Sequence, residues 1–136
     1  MYNSSIIKRM GKIEYFLKNL EFIGDVSRKE FVSNIMRWGS AERFLQLAIE
    51  ALIDIGNHII AEKDWGIINE SRDVAYILFE KGVLDEPSRE LFLKMIGFRN
   101  ILVHEYMEVD VNTVFDITKN KLNDIRKILS ALSNII

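Results

Sequence analysis

The apolar residues of this 136-residue chain recur at helical spacing almost from end to end. One proline, Pro87, and seven glycines are all that interrupt the pattern, and no stretch alternates as a strand does. Such a chain is held to few outcomes: long amphipathic helices that bury one side against each other. Ile6, Ile7, Met10, Ile13, Phe16, Leu17 and Leu20 mark a first helix, ended by Gly24 and Asp25. Ser27, with Glu30 three residues on, forms a capping box. It opens a second helix over about residues 28–63, kinked near Gly39. Asn69 to Lys81 reads as a shorter third helix stopped by Gly82. Asp85 and Pro87 start a fourth, which runs to about Tyr106. Asp110 caps a fifth, with Val114, Ile117, Ile125, Ile128, Leu129 and Leu132 on its apolar side. The expected fold is all-α: an up-and-down bundle of four long helices plus one short helix, in a single domain over 1–136.

Composition removes several classes. Hydrophobic residues make up 49% of the chain, which is not the composition of a disordered protein. There is no cysteine, so neither a disulfide framework nor a thiolate metal site exists. The opening MYNSSIIKRMGKIEYF lacks the apolar core of a signal peptide. No uninterrupted apolar run approaches the ~18 residues of a membrane span. A cytoplasmic location with no membrane partner is expected. Net charge is −2, so no broad basic footprint for nucleic acid is present. Any such binding has to come from a local patch, or from one assembled between subunits.

Two stretches carry polar groups where apolar ones are expected. In the fourth helix Phe92, Met95, Ile96, Leu102 and Val103 define the buried side, and Arg99 falls near its centre at helical pitch. Tyr106 lies seven residues on, almost above Arg99. Asn100 and His104 are four apart on the flank of the same stripe, while Lys94 and Glu105 point away. A charged arginine on an apolar stripe is unfavourable unless paired. The second helix answers in "ERFLQLAIEALIDIGNHII", residues 42–60. There Gln46, Glu50, Asp54 and His58 form one ridge at four-residue spacing, flanked by Arg43 and Asn57. Asp54 or Glu50 is placed to pair with Arg99 and hold its guanidinium.

Each residue also has a plainer reading. Arg99 fits a structural ion pair, His104 a satisfied core histidine, and Tyr106 ordinary bundle packing. Trp38 and Trp65 fit core or interface anchors. Asp54 and His58 at i, i+4 offer two metal donors, but the paired Glu-x-x-His helices of carboxylate-bridged bundles are missing. No metal and no cofactor are expected.

Arg99, four residues, His104, one residue and Tyr106 reproduce the R-x4-H-x-Y signature of the HEPN superfamily, and Asn100 after the arginine also fits. "ERFLQLAIEALIDIGNHII", "GVLD" and "FRNILVHEYMEVD" resemble its HepT-like branch in the expected order, over roughly residues 28–130. The resemblance implies the toxin of a type VII toxin–antitoxin system. Such a protein is an α-helical, metal-independent endoribonuclease, with motifs from two protomers of a homodimer meeting in one cleft. It implies RNA as substrate and a small MntA-type nucleotidyltransferase as antitoxin partner. Arg99 and His104 would be catalytic, with Asn100, Asp54 and Glu50 supporting. Tyr106 would receive AMP from the antitoxin.

The residue types suit that chemistry. Histidine titrates near neutrality and moves protons, and arginine offers a fixed fork to phosphate oxygens. One chain supplies one motif histidine, so shuttling between two would need a dimer. Two other classes stay open: a non-catalytic nucleotide-binding module or partner subunit of a nucleotidyltransferase, and a purely structural helical dimer. Cleavage of RNA in excess EDTA separates the first reading from both.

Overall fold

The computed structural model describes residues 4–104 and 108–136, and is all-α among them. Seven helices replace the expected four long and one short: α1 Ser4–Ile23, α2 Arg28–Val32, α3 Ile35–Lys63, α4 Arg72–Glu80, α5 Glu86–Val103, α6 Val111–Asn120 and α7 Leu122–Ser133. They are arranged around one axis. α3 contacts every other helix and buries residues on most of its circumference, from Ala41 and Leu45 through Leu52, Ile55, Ile59 and Ile60. By length and composition α3 is also apolar enough to cross a membrane, although no uninterrupted apolar run had suggested it. Half of its most apolar window is buried inside the protein, the pattern of a core helix.

The two extra helix breaks have local causes. The expected 28–63 helix is cut at Ser33 and Asn34, not at Gly39. Asn34 is extended (φ −123°, ψ 102°), and its side chain accepts the Met36 N–H at 3.0 Å. Asparagine here competes with the helix for its own backbone and caps the next one. The short α2 is thereby turned so that fully buried Phe31 meets the Phe115 ring of α6 edge-on at 5.2 Å. The expected fifth helix is divided at Lys121 (φ −116°, ψ 5°). No glycine or proline marks this break. It lets both Thr118 and Leu122 reach the interior, 2% and 6% exposed.

Two caps define α4 and α5. Gly82, at φ 77°, ends α4 where the sequence places its stop. Asp85 opens α5 by accepting the Ser88 N–H at 2.8 Å. Hydrogen bonds from the Ser88 side chain and backbone hold the Asp85 carboxyl below its usual range. The stabilisation from this cap is complete above the ordinary aspartate range and lost as pH falls through the lowered value.

α4 is pressed onto α3 at Gly56. A Cβ there would stand 2.4 Å from Val74 Cγ1, and Val74 is fully buried. Gly56→Ala is therefore expected to destabilise the protein by about 1–3 kcal/mol, although alanine favours a helix by about 1 kcal/mol over glycine. Urea melts of Gly56→Ala, Val74→Ala and the double variant provide the check. The double should lose less than the sum of the singles, because removing the Val74 methyls makes room. A Gly56→Ala chain as stable as the wild type would show that the two helices do not touch there.

Candidate functional site: a groove between α4 and α5

The end of α5 leaves the core. Phe92 and Ile96 are fully buried, whereas Ile101 and Val103 are 36% and 42% exposed. Val103 was expected on the buried side and is not there. Gly97, Arg99 and Asn100 are half-buried and His104 is exposed. The helix stops at Val103, and His104 caps it with extended backbone (φ −92°, ψ 110°). The expected continuation to Tyr106 rested on unbroken helical pitch, which ends here. Tyr106 itself lies outside the described residues.

Opposite this segment stands the start of α4. Arg72 was expected inside a helix beginning at Asn69, but α4 begins three residues later. The Asp73 carboxylate accepts the backbone N–H groups of Asn69 and Glu70, at 2.9 and 3.1 Å, and folds the chain into a turn. Ser71, in the cap position, makes no side-chain cap. Its hydroxyl instead accepts from Arg99 Nη2 at 2.8 Å. Glu70, Ser71, Arg72, Asn100 and His104 together line an open groove of about 510 Å³.

The partner expected for Arg99 is placed elsewhere. Asp54 faces Arg9 of α1, with Oδ2 3.8 Å from Nε. This half-exposed pair contributes little to stability. Glu50 accepts from the Gln46 amide at 3.0 Å. Asp54, Asn57 and His58 line a second groove with Arg9 and Ala61, of about 320 Å³. The two polar stripes thus line different grooves within one chain. Among the described residues Arg99 makes no ion pair, and its Nε is buried without a hydrogen-bond partner. Leaving such a donor unpaired costs about 1–3 kcal/mol. The guanidinium is thus held by a neutral hydroxyl, and no described carboxylate pairs with it.

Sequence reasoning missed Ser71, Arg72 and Glu70. The one local signal was Ser71-Arg72-Asp73, a serine and an acid at a helix start. It says where a helix begins, and nothing about which groove the residues face. No three His, Asp or Glu side chains form a metal-holding group among the described residues.

Fold and groove together define an all-α protein that sets an arginine, an asparagine and a histidine from one helix end against a second helix start. Residues 12–132 match the family model for ribonuclease HepT-like proteins, and the chain belongs to that family. The mRNA nuclease HepT of Shewanella oneidensis is 30% identical over 131 residues, which are 96% of this chain and 97% of that protein. The tRNA nuclease HepT of Aphanizomenon flos-aquae is 30% identical over 107 residues, covering 79% of this chain and 73% of that protein. The solved structure of the tri-AMPylated Shewanella oneidensis HEPN toxin in complex with MNT antitoxin matches with a TM-score of 0.89 at 30% identity, covering 98% of this chain and 99% of that one.

Proposed function

We propose that this chain is the toxin of a HepT–MntA toxin–antitoxin pair. It is a ribonuclease that works in the cytoplasm as a homodimer and is neutralised by AMP transfer from an MntA-type nucleotidyltransferase. The observation that carries the reading is that Asn100 and His104 of the R-N-I-L-V-H segment line an open groove, in a chain that belongs to the HepT-like family. A structural histidine or arginine would be enclosed and paired. His104 is exposed, and among the described residues Arg99 pairs with no carboxylate.

In this reading the 2′-hydroxyl of one nucleotide attacks the adjacent phosphorus. The new P–O2′ bond forms a cyclic phosphate, and the P–O5′ bond breaks. His104 of one protomer accepts the 2′ proton, and the second copy donates a proton to the leaving 5′-oxygen. Arg99 faces the phosphoryl oxygens and stabilises the charge they gain. Asn100, on the same wall, orients the substrate through its amide. Asp54 and Glu50 belong to the α3 ridge, engaged by Arg9 and Gln46. The chemistry needs no metal. The test is incubation of the purified dimer with RNA in excess EDTA, where cleavage is expected. Nucleotide binding without cleavage would point to the binding-module reading.

Tyr106 is the proposed acceptor of AMP. Its phenolic oxygen attacks the α-phosphorus of ATP, loses its proton and displaces pyrophosphate. The adduct adds negative charge two residues along the chain from His104, which would oppose the binding of an RNA phosphate at the motif. Tyr106→Phe is expected to cleave RNA like the wild type and to gain no AMP when incubated with the cognate nucleotidyltransferase and ATP. Intact-mass spectrometry reads the outcome. An adduct on Tyr106→Phe equal to that on the wild type would exclude this tyrosine.

A further inference from the structure

Arg72 lines the groove, and none of this chemistry uses it. Most arginines of the chain are engaged. Arg28 binds Asp116, Arg89 binds Glu90, and Arg126 binds Glu14 and Glu21. Arg72 is exposed and, among the described residues, makes no ion pair, not even with Glu70 on the same rim. Its guanidinium lies against α5, with Nη2 3.7 Å from where a Cβ on Gly97 would stand. Gly97 and Asn100 fall on one stripe of α5, three residues apart, and His104 follows four residues on as the cap of that helix. Gly97 and His104 are seven residues apart, about 10 Å along the helix axis. The Arg72 guanidinium and the His104 imidazole therefore mark opposite ends of the groove. An extended strand laid along it would pass Asn100 and His104 toward one end and the Arg72 guanidinium at the other.

We propose that Arg72 forms a second phosphate subsite, binding an RNA backbone phosphate next to the scissile one. The inference rests on the groove being the RNA-cleaving site. Arg72 binds and aligns the strand and takes no part in proton transfer. Gly97 leaves the surface of α5 open, so that the guanidinium can lie flat beside the path of the backbone. An arginine fork and a phosphate make two parallel N–H···O bonds, which a lysine cannot reproduce.

The test uses the full chain and two kinds of probe. The first is a fluorescein-labelled RNA oligomer of mixed sequence with 2′-O-methyl sugars, which binds but offers no attacking hydroxyl. Arg72→Gln should weaken its binding about tenfold and reduce the slope of log affinity against log salt by about 0.7, the share of one phosphate contact on a single strand. Arg72→Lys should restore the slope. The second comparison is cleavage of ribo-oligomers against dinucleoside monophosphates, which carry the scissile phosphate alone. KM for oligomers should rise about tenfold with kcat changed less than about twofold, as for an interaction equal in ground and transition states. Dinucleoside monophosphates should be cleaved as by the wild type. Gly97→Leu, which fills the resting place of the guanidinium from the α5 side, should reproduce the binding defect with the arginine still present.

Unchanged oligomer affinity and KM in Arg72→Gln would overturn the proposal. So would an equal loss of kcat on dinucleoside monophosphates, which would place Arg72 at the scissile phosphate. A wild-type protein that binds no oligomer would overturn it too. Wild-type protein that binds the oligomer but cleaves nothing, with the Arg72→Gln defect intact, would support the subsite and remove the nuclease reading.

Discussion

His104→Ala is expected to lower kcat for RNA cleavage by about 10²–10⁴-fold, the usual contribution of a positioned general acid or base. Its melting temperature should stay at the wild-type value. The side chain is exposed at the C-terminal cap of α5, and the cap bond made by the backbone, His104 N–H to Ile101 O at 3.3 Å, survives the substitution. Fluorogenic RNA cleavage beside a thermal melt makes the comparison. A variant that melts normally and cleaves at the wild-type rate would remove His104 from the mechanism. In a mixed dimer of wild-type and His104→Ala chains, a composite site should lose most of its activity, because each cleavage draws on both copies.

Arg99→Ala is expected to lower kcat by about 10²–10³-fold, the loss seen when one donor to developing charge is removed. Its effect on stability separates two physical situations. Had Arg99 been paired with a buried Asp54, its removal would strand a carboxylate at a cost of about 3 kcal/mol. The structure places Asp54 beside Arg9 and holds Arg99 by the Ser71 hydroxyl. No described carboxylate is stranded, and the buried, unpartnered Nε disappears with the side chain. The expected change in unfolding free energy is below about 1 kcal/mol, because the loss of the charged bond to Ser71, about 1.5–3 kcal/mol, is offset by removing an unpaired donor that costs about 1–3 kcal/mol. Urea melts beside single-turnover cleavage measure both quantities. A loss near 3 kcal/mol with cleavage retained would make Arg99 a structural residue.

Much of the helical content is legible in the sequence because it is local. Ser27 caps α2, Asp85 caps α5 and Gly82 ends α4 through backbone geometry within a few residues. The positions of the breaks are less legible. Asn34 divides the expected second helix because its short amide reaches the next turn, a choice that its neighbours leave open. The division at Lys121 carries no glycine or proline and is set by which side chains the interior accepts, Thr118 and Leu122 among them. The end of α5 at Val103 likewise departs from the pattern, since nothing between Val103 and Tyr106 breaks a helix by residue type.

The site divides in the same way. The sequence by itself determined that Asn100 and His104 share a flank of the stripe on which Arg99 sits, because 3.6-residue pitch relates residues on a single axis. It also carried the family signature that spans them. Only the tertiary structure decided what stands across from that face. The α3 ridge with Asp54 and Glu50 was a plausible answer, since its polar stripe was complementary. The start of α4 is the actual one, with Ser71 against Arg99 and Arg72 over Gly97. Periodicity fixes the phase of residues around their own helix. The phase of one helix against another is set by side-chain volumes at the crossings, such as Gly56 against Val74, and no pattern along one strand of sequence records it.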